Sequence, residues 1–458
     1  MTFPGQAGPG NAASMRFALP ALLLAALAGC ATYRAAPLPA SASLQPSLAA
    51  LPHSLPDGRV VDVSSPLAVQ DVAALAVLNN PDLKAARAQH GVAEAELLVA
   101  GLPPDPSFTG GFAALLGGPA SMSAISASLT QDIGALITYR ADKQAARAGL
   151  AQVDAGILWQ EWQVASQAEQ LVVTLQADRA TLASLQADVA VLSGIDQATQ
   201  GQIARNNLTL NEGTTSMAAL AAVQSTLDTA TQTALHDEDQ LDALLGLLPG
   251  TAIALAPAQV APPPDDLAPA LASLPQRRPD LIALRYGYAQ EDAKLRAAIL
   301  TQFLPLSLGA SGGRDTSGVT SAGPQITLTL PLFNRNRAAI KTAEATRAAL
   351  GAQYQAALAS ATGGAQSLSA NLALLRAQAA QAQAQADTAA QMAASAQTAF
   401  SAGQISAPAL ATIQATAGER ERAAIALNAQ VQTAEISLAT LLGLGLPPLG
   451  AASGDQTE

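Results

Sequence analysis

Asn80-Pro81-Asp82-Leu83-Lys84-Ala85-Ala86-Arg87 returns about 200 residues later as Arg278-Pro279-Asp280-Leu281-Ile282-Ala283-Leu284-Arg285, and this recurrence governs the reading of the whole chain. Most of the sequence between follows in the same order. Ser128-Leu129-Thr130-Gln131 pairs with Thr327-Leu328-Thr329-Leu330, the stretch ending Asn211-Glu212-Gly213 with Ser401-Ala402-Gly403, and Leu244-Leu245-Gly246-Leu247 with Leu441-Leu442-Gly443-Leu444. A duplication of this size predicts that each half builds one copy of a unit.

The residues that fill those copies are half hydrophobic, yet only 3% aromatic and 12% charged, because Ala is the largest part of the apolar content. Ala is the best helix former and a poor core filler, so the composition suits long, closely packed helices and not a globular enzyme with a deep core. A formal net charge of −11 argues against nucleic acid, which selects basic faces. With Cys30 as the one cysteine there is no internal disulfide and no Cys-based zinc cluster.

From 135 to about 206 there is no Pro, Gly falls only at Gly149, Gly156, Gly194 and Gly201, and Leu171, Leu175, Leu182, Leu185, Val189, Leu192 and Ile203 keep heptad spacing. This predicts a helix of about 70 residues, roughly 105 Å long, too polar for a membrane span and too long for a compact domain. A break at 206–215 leads to a helix of about 30 residues ending near Leu245, and a further helix of about that length is expected over 72–100. Two short helices laid end to end nearly equal the long one. In the second half the expected parts are a long helix over 335–400, a turn at 401–406, and short helices over 279–301 and 407–442.

Each half also carries a candidate strand pair. Ile125, Ala127 and Leu129 alternate with Ser126, Ser128 and Thr130, and Ile326, Leu328 and Leu330 alternate with Thr327 and Thr329 over 325–332. Their partners are 107–114, with Phe108 and Phe112 on one face, and 306–311, with Leu306, Leu308 and Ala310 on one face. The Gly-, Ser- and Pro-rich stretches 115–123 and 312–323 read as the connecting loops, giving hairpins over 105–131 and 305–332. Apolar residues toward lipid and hydroxyls toward a wet lumen are the pattern of a membrane barrel. Four strands cannot close one, since the smallest barrels have about eight and open edges are not tolerated in lipid, so three chains giving about twelve strands are implied.

At the N-terminus, the apolar run 17–29 behind Arg16 ends Leu27-Ala28-Gly29-Cys30, which resembles the lipobox of bacterial lipoproteins. The resemblance implies a signal peptide over 1–29 and a covalent lipid, such as palmitate, on Cys30. Ala31 in place of Asp implies sorting to the outer membrane. Met15 is an alternative start, because 15–29 alone makes a complete signal. One acyl chain anchors weakly, so the strand pairs would supply the second element of attachment.

The order and duplication of these parts resemble the TolC-like outer-membrane efflux protein family, in the lipidated branch that serves resistance-nodulation-division pumps. The resemblance runs from Cys30 to about Pro447 and rests on the Asn-Pro-Asp-Leu and Arg-Pro-Asp-Leu helix starts, the run Leu328-Thr329-Leu330-Pro331-Leu332-Phe333-Asn334-Arg335-Asn336-Arg337, and the Leu-Leu-Gly-Leu endings. It implies a mainly α fold with a small β part: a homotrimeric 12-stranded outer-membrane β-barrel continuing into a long α-helical barrel, each chain a two-fold repeat. The implied domains are a lipidated extended segment at 30–66, a first repeat at 67–247, a linker at 248–275 around the outside of the helical barrel, a second repeat at 276–447 and a tail at 448–458. The implied partners are outer-membrane lipid, a periplasmic adaptor protein and an inner-membrane transporter, and the implied location is the Gram-negative outer membrane, reaching into the periplasm.

No Walker loop, Gly-x-Ser-x-Gly or His-Glu-x-x-His occurs, and the three histidines are His53, His90 and His236. His236 beside Asp237, Glu238 and Asp239 reads as a solvated face, because consecutive helical residues point in different directions. Glu419-Arg420-Glu421-Arg422 is a mixed-charge helix surface, and Trp159 with Trp162 on one helical face suits packing or an interface. An enzyme is therefore disfavoured, and no cofactor beyond the lipid is expected. The resemblance places the two helix turns at the periplasmic tip, where adaptors dock. There Gly213 and Gly403 permit the reversal, flanked by Glu212, Thr214, Thr215 and Ser216 in one repeat and Gln404, Ile405 and Ser406 in the other. Many relatives carry an Asp where Thr412 stands, so an Asp-ring gate is not expected. A protein-secretion channel would share this fold, a periplasmic adaptor lipoprotein would show one helical hairpin and no strand-bearing repeats, and the sequence leaves metal ions and drugs both open as cargo.

Overall fold

The computed structural model describes residues 33–56, 58–117, 122–264, 266–302, 306–329 and 333–444. The chain divides into two compact units, Met1–Ser43 and Leu44–Glu458. The described residues of the first carry no helix or strand, and every element below belongs to the second. The signal peptide, Cys30, Leu330, Pro331, Leu332 and the tail fall outside the described residues.

The first-half helix expected over 72–100 is two helices, α1 (Val69–Asn79) and α2 (Pro81–Gly101). Proline pushes its predecessor out of the helical region, and Asn80 takes φ −51°, ψ 127°. Its Oδ1 caps α2 by accepting the Leu83 N–H at 3.0 Å, while its Nδ2 donates to the Leu244 carbonyl at 3.1 Å. The second half repeats the break at Arg278 (φ −77°, ψ 120°), between α5 (Ala268–Arg277) and α6 (Pro279–Thr301). Here a buried guanidinium donates to the Leu441 carbonyl at 3.3 Å and clasps both carboxylate oxygens of Asp280 at 3.0 and 2.6 Å. Leu244 and Leu441 are counterparts in the duplicated endings, so an amide in one half and a guanidinium in the other close the same junction. Helix α5 also corrects the linker expected over 248–275, since Pro269 sits in its first turn, where no N–H is required.

Two strands of each half form one antiparallel sheet in the order β1 (Ser107–Ala113), β2 (Ala124–Asp132), β3 (Leu306–Arg314), β4 (Thr320–Leu328). The second strand pair is shifted from the expected one. Gly312 to Arg314 and Thr320 to Gly323, read as loop, are strand, as is Pro324, and β4 ends at Leu328. Their backbone groups are satisfied by the ladder whatever the side chains, and Pro324, which lacks an N–H, lies on an edge strand. The turn shrinks to Asp315 to Val319, where Asp315 Oδ1 accepts the Ser317 and Val319 N–H groups, each at 2.9 Å.

From β2 the chain enters α3 (Ile133–Ala204, 72 residues), reverses, and returns as α4 (Leu210–Leu245, 36 residues). The second half mirrors this with α7 (Arg337–Ser401, 65 residues) and α8 (Ala407–Leu441, 35 residues), so the two long helices differ by one heptad. Along α7 the buried Ala365, Leu372, Ala379, Ala386 and Ala393 recur at heptad spacing, a seam of small residues that lets helices approach closely. On α3 the heptad series runs Leu171, Asp178, Leu185, Leu192, Thr199, with an acid in one seam position. Helix α3 packs on α1, α2, α4, α6 and α8, and α7 packs on α6 and α8. Leu185, Leu192, Ile195, Val223, Ala396 and Leu410 form one core that joins all four long and return helices near their reversals. Among the described residues no helix is long and apolar enough to cross a membrane.

Candidate channel wall and helix tips

Residues directly opposite one another on neighbouring strands share a face, so the register sorts the sheet completely. One face carries the rows Phe112, Ile125, Arg314, Thr320; then Gly110, Ala127, Gly312, Ala322; then Phe108, Leu129, Ala310, Pro324; then Gln131, Leu308, Ile326; and finally Leu306, Leu328. The other carries Ser107, Thr130, Gly309, Gln325; Thr109, Ser128, Ser311, Gly323; Gly111, Ser126, Gly313, Ser321; Ala113, Ala124; and Asp132, Ser307, Thr327. The first is apolar and stays exposed in the single chain, with Phe108 at 71% and Ile326 at 69% of full accessibility. The second is mostly hydroxyl and glycine, with Ala113, Ala124 and Gln325 beside them and Asp132 as its one charged residue among β1 to β4. Asp132 also caps α3, its Oδ1 accepting the Ala135 N–H at 3.2 Å. Among the described residues both outer strands, β1 and β4, present an unpaired edge.

At the helix reversals one expectation holds and one is corrected. Gly403 takes φ +72° after α7, and the Gln404 N–H reaches back to the Ala399 carbonyl at 2.8 Å, a helix stop that favours glycine. In the first half that role belongs to Asn206, with φ +59° and the Asn207 N–H on the Gln202 carbonyl at 2.9 Å. The reversal is therefore Arg205 to Thr209, and Gly213 lies in the first turn of α4. What Gly213 permits is close approach: a Cβ there would lie 2.5 Å from Ile203 Cδ1. The signal was in the sequence, because Asn206 to Gly403 has the same spacing as Leu244 to Leu441 and Gly213 to Gly403 does not.

The side chains flanking these turns separate by exposure. Thr214, Thr215, Gln404 and Ser406 are exposed, and Glu212 falls in the first turn of α4. Ile405 packs against the shared core. Ser216 is fully buried, its Oγ donating to Asp196 Oδ1 at 2.9 Å, so this chain does not present it to a partner. Arg205, Asn207 and Thr209 take its place at the surface.

Further along the helices, polar contacts tie the halves together. Arg422 on α8 pairs with Asp188 on α3 at 2.5 Å, and Ser184 Oγ donates to Glu421 at 2.7 Å. Arg278 lies over the Trp159 ring, 4.9 Å from its centroid. Three carboxyls on α3 are pushed above their ordinary range, Asp188 by burial against the opposing pull of Arg422. Burial pushes Glu169 up to about 7, beside a cavity of about 100 Å³ lined by Gln70, Trp162, Ser166, Gln259 and Thr440. Burial, with Asp237 and Glu238 alongside, pushes Asp178 up to about 6. Among the described residues no three His, Cys, Asp or Glu side chains form a group able to hold a metal ion.

Long paired helices carrying one two-faced sheet make up the described fold, and comparison with solved structures gives the same fold. CusC, described with conformational changes accompanying folding and transmembrane channel formation, superposes with a TM-score of 0.70 at 18% identity, covering 91% of this chain and 100% of that one. The Campylobacter jejuni CmeC outer membrane channel gives 0.70 at 16% identity over 90% and 95%. VceC, an outer membrane protein of Vibrio cholerae, gives 0.68 at 17% identity over 82% and 96%. No curated protein sequence matches significantly. Residues 270–444 match the sequence profile of the outer membrane efflux protein family, whose members are channels and not enzymes.

Proposed function

We propose that the protein is the exit duct of a tripartite efflux pump, a trimer whose three sheets close a 12-stranded barrel in the outer membrane and whose helices continue it as a tunnel into the periplasm. The observation that carries this is the sheet register. An exposed apolar face, a hydroxyl face and two open edges in one chain are what a lipid-embedded barrel segment requires, because unpaired strand edges are excluded from lipid. Each chain is a two-fold repeat within that barrel. Conduction is passive: the hydroxyl face lines a wet lumen, and the driving force comes from an inner-membrane transporter reached through a periplasmic adaptor. The adaptor meets the reversals at Arg205 to Thr209 and Ala402 to Ser406, together with Glu212, Thr214 and Thr215. Removal of 1–29 leaves Cys30 as the lipidated N-terminus, a second attachment beside the barrel.

Two measurements test this. Purified protein added to planar bilayers should form trimers that conduct in steady steps; monomers that leave the bilayer silent would overturn the channel reading. A deletion strain, complemented with the gene and grown on metal ions, hydrophobic drugs and dyes, should lose resistance to one class and thereby name the cargo. Unchanged growth alongside a lost secreted protein would replace efflux with secretion.

A further inference from the structure

The apolar face of the sheet carries a single charge. Leu306, Leu308, Ala310 and Gly312 follow one another on that face of β3, and the next position is Arg314, the one charged residue the face carries among β1 to β4. Its direct cross-strand neighbours are Ile125 and Thr320, Phe112 closes the row, and the residue is exposed. Among the described residues the Arg314 side chain has no hydrogen bond or ion pair. The adjacent acid is engaged elsewhere: Asp315 Oδ1 takes the Ser317 N–H, the Ser317 hydroxyl at 2.7 Å and the Val319 N–H, and these bonds hold its carboxyl below the usual range.

The depth of Arg314 decides what could meet it. The stretch Leu306–Arg314 covers roughly 26 Å along the strand, or roughly 20 Å of depth at the usual barrel tilt, within an apolar band about 25 Å tall. With the Leu306 row at the helical end of that band, Arg314 falls at the opposite rim, beside the turn. A charge there costs about 0–1 kcal/mol, against about 2–4 kcal/mol for Arg at the midplane, and a long stem carries the guanidinium outward to the headgroup layer. Guanidinium matches phosphate with paired donors.

We propose that Arg314 is a lipid headgroup site, its guanidinium holding the phosphate of a lipid in the leaflet at the turn end while the acyl chains lie on the Phe112 and Phe108 rows. The inference rests on the reading of the sheet as membrane wall. The test reconstitutes the full protein in nanodiscs of digalactosyldiacylglycerol, which bears no phosphate, doped with phosphatidic acid or with diacylglycerol of the same chains, and counts retained lipid by native mass spectrometry. The expected result is about fivefold greater retention of the phosphate-bearing lipid, the factor contributed by one basic side chain at a headgroup layer. Arg314→Gln should bring that ratio to about one with trimer and helix content unchanged, Arg314→Lys should keep part of it, and excess inorganic phosphate should not displace the lipid. Insertion with no preference, or a preference that survives Arg314→Gln, overturns the headgroup site and leaves the channel standing. Failure of the native protein to enter any bilayer overturns the membrane reading and the site with it.

Discussion

At the residue scale, the two tip glycines named by the sequence do different jobs, and substitution separates them. Gly403 holds φ +72°, which costs an L-residue about 1–2 kcal/mol, so Gly403→Ala should lower stability by about that amount. Gly213 is helical, its one tight neighbour is the flexible end of Ile203, and Ala is about 1 kcal/mol better than Gly in a helix. Gly213→Ala should therefore leave stability within about 0.5 kcal/mol of the parent, as read by chemical unfolding followed through the helical signal. A large loss at Gly213 with none at Gly403 would return the first reversal to where the sequence alone puts it. Asp132 gives a second residue-scale prediction. In the proposed trimer it forms a ring of three carboxylates in an otherwise hydroxyl-lined wall, and such rings favour cations. Asn caps helices as well as Asp does, so Asp132→Asn should fold normally while the reversal potential under a salt gradient moves toward anions. The shift should be clear at about 0.01 M salt and lost near 1 M, where screening contracts to about 3 Å.

At the scale of elements, the long helices and strand pairs were legible because each repeats a simple period. Leu185 and Leu192 mark the heptad of α3, and Ile125, Ala127 and Leu129 mark the alternation of β2. What was not legible depended on backbone partners that no period encodes. Asn80 breaks a pattern that looks continuous because a proline follows it and Leu244 offers a carbonyl. The glycines of β3 and the proline of β4 resemble loop until neighbouring strands satisfy their backbones. The first reversal occupies only the start of the break expected over 206–215, because Asn206 and not a glycine supplies the left-handed residue. Contacts between the halves were not legible at all, and the Asp188–Arg422 pair is the one most open to measurement. Both side chains are largely buried, at 16% and 14% exposure, so removing either alone leaves a charge poorly solvated. Arg422→Ala should cost about 2–3 kcal/mol, and Asp188→Asn in that background should recover part of it. A coupling energy of about 1–3 kcal/mol from the double-mutant cycle would identify the pair as an inter-helix tie, and a value near zero would reduce it to a solvated contact.

For the molecule as a whole, a chain of net charge −11 places carboxyls inside its own helical packing, and stability must then depend on pH. Glu169 borders a small cavity with only neutral polar groups around it, and Asp178 stands in a heptad seam facing Asp237 and Glu238. Both are pushed up by burial, to about 7 and about 6. In each case the folded protein holds the proton more tightly than the unfolded chain, whose carboxyls titrate near 4. The stability these groups contribute is therefore complete below about pH 4, and it falls as pH rises through 6 and then 7. Unfolding midpoints measured from pH 5 to pH 8 should decline across that interval, opposite to the usual loss of stability when paired carboxylates are protonated. Glu169→Gln should flatten the upper part of the decline and stabilise the protein at pH 8 by roughly 1–3 kcal/mol. Asp178→Asn should flatten the lower part, and the two substitutions, more than two helical turns apart on α3, should add. If the parent is as stable at pH 8 as at pH 5, these carboxyls are ionised in the folded protein and the seams of α3 admit enough water to solvate them.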